Sequence, residues 1–268
     1  MTQVGIITAV ILGIFQGFVE WLPISSSGQT ILAMVDILKI DADTAFSLAF
    51  FLHFGTLLAV MLKLRGDVKY IVMRLPKYKE DKLVQFIVVS TIASTLVGLP
   101  VYIFLFNVFE GGIEGDVVTA LVGFFLLLTG IIIYISKRKT GTRGIADSNA
   151  KDSLLAGLCQ GFTVLPGLSR SGVTVAALVS KNFKQEEALR LSFLMSIPAI
   201  AGIMILEGIR GKVASIGVVP IVAGIIASFI IGYLMIDVLM RFAKRVKFDS
   251  FCVVFGIIAI VVGILVLM

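Results

Sequence analysis

Long apolar runs separated by short polar segments dominate the pattern of the chain. Six runs are long enough to cross a hydrocarbon layer of about 30 Å as helices. None shows the alternation of apolar and polar residues that is typical of a membrane β-strand. The pattern therefore predicts an all-α integral membrane protein with six spanning helices. These spans are predicted at 44–62, 84–106, 117–136, 188–206, 216–240 and 249–268.

Two further apolar stretches, 4–37 and 154–180, are interrupted by proline, serine and glycine. When the spans are followed in order, each stretch begins and ends on one side of the membrane, so each is predicted to be a re-entrant pair of half-helices. Irregular backbone is tolerated at membrane depth only where it is buried in protein or lines a wet cavity. Both breaks are therefore expected to face a cavity.

Composition agrees with a membrane protein. Of the 268 residues 58% are hydrophobic and 15% are charged, whereas soluble domains carry about 25% charged residues. No basic segment precedes the first apolar run, so a cleaved signal peptide is not expected. Cys159 and Cys252 lie in apolar context without metal-like spacing, and we expect two buried free thiols.

The net charge of +6 arises from basic residues in the loops and does not indicate an acidic partner. Of the 23 Lys and Arg residues, 19 fall in four loops, at 63–83, 137–153, 181–190 and 241–247. Cytoplasmic loops hold such an excess, so these four loops are predicted inside. The basic charge thus indicates topology, and no nucleic-acid partner is expected.

The two interrupted stretches resemble each other. GIFQGFVEWLPISSSGQT (13–30) aligns with GLCQGFTVLPGLSRSGVT (157–174) at a constant offset of 144, with eight of 18 positions identical. Because the two copies enter from opposite sides, the chain is predicted to be a single membrane domain, 1–268, with inverted-topology repeats at about 1–136 and 150–268. Transporters of this kind bind their ligand between the broken helices.

Two ionisable residues, Glu20 and Arg170, fall at membrane depth in the broken helices. A charge at this depth is costly and points to function, although the two could also form a buried pair that is merely neutral. The serine and glycine clusters at 25–28 and 169–172 precede the second half-helices. Helix N-termini offer free N–H groups to an anion, although either cluster alone could be only an N-cap. Together with a guanidinium they predict a phosphate or diphosphate site.

A carboxylate would repel such an anion unless a cation lies between them. We therefore expect a divalent cation, Mg²⁺ or Ca²⁺, which can bridge Glu20 to phosphate. Gln16 lies four residues before Glu20 on the same helical face. Its amide oxygen could add a metal ligand, or the amide could make a helix–helix hydrogen bond.

These residues carry a resemblance to a known family. QGFVEWLPISSSG resembles the (E/Q)xxxE and PxSSxG motifs of the undecaprenyl-diphosphate phosphatase family, also called the BacA or UppP family, and PGLSRSGVT resembles its PGxSRSGxT motif. The resemblance implies a cell-membrane enzyme that removes the terminal phosphate of undecaprenyl diphosphate. It also implies divalent-cation dependence, an active site that opens outward, a role in recycling the carrier lipid for cell-wall or glycan assembly, and bacitracin resistance.

Carried over by position, the resemblance makes Glu20 the acidic residue, Ser26 the nucleophile and Arg170 the phosphate clamp. The metal would be held by Glu20 and Gln16. The predicted substrate-binding residues are Ser25, Ser27, Gly28, Gln29, Ser169, Ser171, Gly172 and Thr174.

The chain departs from the family pattern at two positions. Gln16 stands where many members have Glu, and Gln29 stands where many have His, so Gln29 cannot transfer a proton. The one histidine, His53, lies in the middle of a predicted span. We interpret it as a satisfied intramembrane histidine, although it could also be an indirect partner of the site.

Three functions remain from the sequence. The first is hydrolysis, in which Ser26 either attacks phosphorus or positions an attacking water. The second is a flippase that moves a prenyl phosphate without chemistry, because inverted repeats with broken helices are a transporter architecture. The third is a membrane scaffold. The apolar helix faces could also pack in a homodimer.

Overall fold

A computed structural model describes residues 4–136, 141–210, 216–245 and 248–267. Every regular element in those ranges is a helix, as the apolar pattern predicts. The principal helices are α1 (Ile6–Val19), α2 (Ser26–Leu32), α3 (Ala42–Lys63), α4 (Arg65–Arg74), α5 (Lys82–Glu110), α6 (Gly115–Ile135), α7 (Ala150–Phe162), α8 (Arg170–Ser180), α9 (Gln185–Arg210), α10 (Val218–Arg245) and α11 (Phe248–Leu267).

Polar residues at the loop boundaries start several helices. Asp41 accepts from the Thr44 backbone N–H at 2.9 Å and begins α3. Asp81 accepts from the N–H groups of the first turn of α5, and Asn149 does the same for α7. Each cap satisfies N–H groups that have no partner inside the helix, a contribution of about 1 kcal/mol.

In the described part of the chain, five helices are long and apolar enough to cross a membrane, so the protein is a multi-pass membrane protein by this criterion. They are α3, α5, α6, α9 and α10, and they overlap five of the six predicted spans, with boundaries that differ by up to five residues. The sixth predicted span, 249–268, falls on α11. Several α11 side chains are not among those that the structure describes. The described apolar part of α11 is the shorter segment Val253–Val262.

Both predicted breaks are present. The first separates α1 from α2 and the second separates α7 from α8. The serine clusters differ slightly from the prediction, because α2 already begins at Ser26 and α8 at Arg170, so the clusters form first helical turns rather than precede them. The breaks touch each other: a Cβ on Gly28 would lie 2.8 Å from the Gly167 backbone nitrogen.

Glycines allow the broken helices to pack closely on two spans. Helix α1 packs along α10, and α7 packs along α5. A Cβ on Gly13 would lie 2.2 Å from the Gly224 carbonyl oxygen, and one on Gly157 would lie 2.4 Å from that of Ser90. Such distances are below any allowed contact, so this backbone approach requires glycine at both positions.

The cysteine prediction is only partly correct. Cys159 is a free thiol, but it is half-buried because it lies at the edge of the exposed face of α7 that carries Leu154, Leu158 and Phe162. The side chain of Cys252 lies outside the described residues.

Candidate functional site

Glu20 is the centre of the polar cluster between the breaks. It follows α1 directly, and its carboxylate is buried. One oxygen pairs with the Arg170 guanidinium. The other accepts from Ser26 Oγ at 2.5 Å and Gln16 Nε2 at 2.8 Å, and it lies 3.2 Å from His53 Nε2. The structure thus brings together Glu20, Ser26 and Arg170, the three residues that the sequence assigns to catalysis.

Ser26 is positioned by the start of α2. The preceding residue, Ser25, has φ 60° and ψ 82°, a left-handed conformation that costs a residue other than glycine about 1–3 kcal/mol. This backbone turn directs the Ser26 hydroxyl back towards the end of α1. A hydroxyl that donates to a carboxylate is the arrangement of a nucleophile with its base.

Gln16 supports the carboxylate from within α1. Its amide nitrogen donates to Glu20, and its amide oxygen accepts from Thr30 Oγ1 at 3.3 Å. The spacing of four residues therefore places Gln16 and Glu20 on one helical face, as predicted. In this arrangement the amide holds Glu20 against the first turn of α2.

Arg170 reaches the same carboxylate from the second break. Its guanidinium lies 5.9 Å from the ring centre of Trp21, a cation–π distance, and Nη1 lies 3.5 Å from the Ser192 carbonyl oxygen. Trp21 is itself fixed, because its Nε1 donates to the Gly232 carbonyl oxygen at 3.0 Å. Helices from both halves of the chain therefore hold the Glu20–Arg170 pair.

The other hydroxyls of the second break mostly make structural contacts. Ser169 Oγ accepts from the Gly172 N–H at 3.1 Å and caps α8. Ser171 Oγ donates to the Leu22 carbonyl oxygen at 3.1 Å and so ties the two breaks together. Thr174 Oγ1 lies 2.7 Å from the Ser192 hydroxyl. A cavity lies beside Glu20, and of these three residues only Ser169 lines it.

Three more of the predicted binding residues do not line the cavity beside Glu20: Gly28, Gln29 and Gly172. Gln29 Nε2 donates to the Ile24 carbonyl oxygen at 2.7 Å, a bond that supports the turn before α2. Gly28 faces Gly167, and a Cβ on Gly172 would lie 3.0 Å from the Ile133 side chain. These residues shape the breaks, and their predicted binding role stays a prediction.

His53 belongs to the cluster, although its position in the sequence indicated a satisfied intramembrane histidine or, as the alternative, an indirect partner of the site. It lies in the middle of α3, where its Nδ1 is 2.6 Å from the Ala49 carbonyl oxygen and its Nε2 faces Glu20. Each ring nitrogen therefore lies within hydrogen-bond distance of an oxygen atom. One signal could have identified it, since an ionisable residue inside a span indicates function by default.

The cluster forms one wall of a cavity of about 660 Å³, including its mouth. Two buried oxygens of lining residues, Ser25 Oγ and Gln160 Oε1, have no hydrogen-bond partner within the described part of the chain. Because a buried acceptor without a partner is costly, these atoms indicate a site that a polar ligand or water completes. The polar lining residues are Glu20, Ser25, Ser26, Ser27, His53, Gln160, Thr163, Ser169 and Arg170.

The donor set suits a metal ion that is shared with a ligand. Among the described residues no group of three or more His, Cys, Asp and Glu side chains could hold a metal by itself. Mg²⁺ needs fewer protein ligands, because it commonly binds one or two carboxylates together with substrate phosphates and water. Glu20 supplies one carboxylate, and Gln160 Oε1 and Ser25 Oγ are neutral oxygens on the same cavity.

Comparison with known proteins gives consistent similarities over almost the whole chain. The family model of the bacitracin resistance protein BacA matches residues 9–265. A protein of Methanopyrus kandleri is 39% identical over 98% of this chain and 97% of its own length. A protein of Methanothrix thermoacetophila is 38% identical over 94% of both chains. Both relatives bear the name undecaprenyl-diphosphatase.

Proposed function

The chain belongs to the family of the bacitracin resistance protein BacA, and from that premise we propose that it hydrolyses undecaprenyl diphosphate to undecaprenyl phosphate and inorganic phosphate. Relatives that resemble the chain over almost its whole length bear the name undecaprenyl-diphosphatase, which describes this reaction. The observation that carries the proposal in this chain is the Glu20 carboxylate, which accepts from Ser26 and pairs with Arg170 across the two breaks.

An inverted repeat accounts for this meeting of two distant segments. The element order of a broken helix pair followed by three longer helices occurs twice, as α1, α2, α3, α5, α6 and as α7 to α11. In each case the first half-helix packs on a span of the other half, α1 on α10 and α7 on α5. A two-fold axis between the halves would relate the contact of α1 with α10 to the contact of α7 with α5.

The packed spans carry a matching repeat of their own. Residues 87–98 in α5 align with 221–232 in α10 at an offset of 134, with six of 12 positions identical. The glycine contacts follow the same offsets: Gly17 faces Ser228, and Gly161 faces Ser94. Four contacting segments thus support one duplication. With α11 counted, the duplication gives six spans and two re-entrant pairs.

Ser26 is the proposed nucleophile. Its Oγ attacks the terminal phosphorus while its proton passes to Glu20, and the bond from that phosphorus to the bridging oxygen breaks. Glu20 returns the proton to the prenyl monophosphate as it leaves. Water then attacks the phosphoserine and gives a proton to Glu20. As the bond between phosphorus and Ser26 Oγ breaks, Glu20 passes this proton to Oγ, which restores the Ser26 hydroxyl and releases phosphate. The alternative, in which Ser26 positions the water for direct attack, uses the same base.

In this scheme Arg170 stabilises charge and His53 orients the base. Phosphoryl transfer depends mainly on positioning and on neutralising the phosphoryl oxygens. Arg170 exchanges part of its contact with Glu20 for the transferred group, which its planar fork can hold through two oxygens. His53 keeps the carboxylate oriented by its contact with the same oxygen that accepts from Ser26.

A divalent cation would neutralise charge on the diphosphate when bound. Glu20 would hold it, with Gln160 and Ser25 as neutral oxygens on the same cavity. The metal role of Gln16 stays a prediction, because its amide oxygen would have to turn from Thr30 to face a cation.

The charge pattern and the family also support a substrate class and a cellular location. The substrate is a membrane lipid, and we propose a multi-pass location in the cell membrane with the site open to the outside. A homodimer stays a prediction. The flippase alternative is disfavoured because the relatives are named for hydrolysis and because a hydroxyl with its base is unnecessary for transport.

Phosphate release from undecaprenyl diphosphate by detergent-solubilised protein tests the function. Mg²⁺ or Ca²⁺ should support release and a chelator should abolish it, whereas a flippase gives no phosphate. Glu20→Ala and Arg170→Ala should each lower the rate by about 10² or more. Matched controls are the exposed Glu110→Ala and Arg65→Ala, which should keep it. Near-normal turnover in either site variant would overturn the assigned roles.

A further inference from the structure

A second cavity adjoins the one that contains Glu20 and Arg170. It is a groove between α5, α7 and α9 of about 820 Å³, including its mouth. Four residues line both cavities: Gln160, Val164, Ala199 and Ile203. The polar cavity therefore continues directly into the groove.

The groove exists because small residues meet there. Gly98, Gly161 and Gly202 contribute no side chains, and Pro198 lies beside them in α9. A Cβ on Gly202 would meet nothing within 4 Å. The three helices thus leave a channel where larger side chains would close the space between them.

The surface of the groove is apolar, although several lining residues have hydroxyls. Ser94 and Thr95 donate to backbone carbonyls of their own helix, and Tyr102 donates to Glu207 at 2.5 Å. Because these donors are satisfied within the protein, the groove suits a hydrocarbon.

One end of the groove is buried and the other reaches the surface that a spanning helix presents to lipid. Gln160 at the inner end is 3% exposed, whereas Ile205 at the outer end is 66% exposed. Gly202 and Leu99 are also exposed. The groove is therefore a path between the lipid and the polar cavity.

The duplication gives the groove side of the cavity an apolar residue in place of a carboxylate. At the offset of 144 the counterpart of Glu20 is Val164, which lines both the cavity and the groove. The first repeat thus provides a carboxylate where the second provides an apolar side chain. This asymmetry suits an amphiphile with a charged head and a hydrocarbon chain.

We infer that the groove holds the first isoprene units of the substrate's prenyl chain, an inference that rests on the proposed function. The groove follows α9 from Pro198 to Leu206, a helical length of about 12 Å, so the rest of a long prenyl chain lies in the lipid. Because lipid is as apolar as the groove, the hydrophobic effect does not draw the prenyl chain out of the lipid. The role of the groove is instead to align the chain so that the diphosphate enters the cavity head first.

Substitution at Gly202 tests the groove. Gly202→Phe should lower the ratio of kcat/KM for farnesyl diphosphate to that for isopentenyl diphosphate by about tenfold, equivalent to about 1.4 kcal/mol. The control is Gly208→Phe, on another face of the same helix, where a Cβ also meets nothing within 4 Å; it should leave the ratio unchanged. The ratio is independent of the amount of folded enzyme. An unchanged ratio in Gly202→Phe overturns the inference.

A binding measurement on the unmodified chain gives a second test that needs no turnover. A farnesyl diphosphate analogue with a photoreactive group on its chain should crosslink to residues within 94–102 and 198–206, and inorganic diphosphate should not prevent labelling completely. Crosslinks confined to other helices would overturn the groove. If the chain released no phosphate from any substrate yet crosslinked in the groove, the proposed function would fail while the binding site stood.

Discussion

The Glu20–Arg170 pair allows an experiment that separates charge pairing from catalysis. The two side chains are 3% and 13% exposed, so each charge depends on the other for compensation. Three variants are needed: Glu20→Gln, Arg170→Gln and the double variant. Glutamine keeps a polar side chain at each position and removes the charge.

The expected stability losses follow from burial. Removing one partner of a buried ion pair costs about 3–5 kcal/mol, because the other charge is left uncompensated. For chains of about 150–250 residues, 1 kcal/mol shifts the unfolding temperature by about 2–4 °C. Each single variant should therefore unfold about 6–20 °C lower, by the same scaling. The double variant should lose less than either single, because it has no unpaired charge.

The assay compares unfolding temperature and phosphate release for the same preparations in one detergent. Both single variants should lose stability and activity. The double variant should recover most of the stability but remain about 10²-fold or more below the wild-type rate, because it lacks the base and the phosphate clamp.

Two results would refute this reasoning. A double variant that recovered phosphate release together with stability would mean that Glu20 and Arg170 only neutralise each other. Single variants as stable as the wild type would mean that the pair is not a coupled buried contact.

Two further predictions concern His53 and the glycine contacts. His53→Ala should lower kcat by about tenfold to a hundredfold, the worth of one hydrogen bond to a charged group, about 1.5–3 kcal/mol; a phosphate-release assay with an unchanged kcat would remove His53 from the site. Gly17→Val should destabilise the protein by about 1–3 kcal/mol through overpacking, because its Cβ would lie 2.7 Å from the Ser228 carbonyl oxygen. The exposed Gly66→Ala, where a Cβ meets nothing within 4 Å, is its control in thermal unfolding, and equal unfolding temperatures for the two variants would contradict the packing argument.

The membrane class and the position of both breaks could be predicted from residue order alone. Apolar length decides whether a segment can span a bilayer, and proline, serine and glycine interrupt such a segment wherever they fall. The repeated motif also predicted that Glu20 and Arg170 meet, because proteins with inverted repeats typically form their site between the two broken helices. These features depend on local composition and on identity between two segments, and both are visible in the sequence.

Tertiary packing decided which side chains share the cavity. Helix α3 is buried around most of its circumference, so its apolar pattern has no polar face to show that His53 points towards Glu20. Gln29 was expected in the site because it occupies the position where many family members have His, yet the turn before α2 directs its amide to Ile24. From the sequence, a hydroxyl such as that of Ser171 could equally bind a ligand or the backbone. In the structure it donates to the Leu22 carbonyl oxygen of the opposite break. The sequence determined where polar groups interrupt the helices, whereas the rotation and close approach of those helices determined which groups meet, because such contacts join residues far apart in the chain.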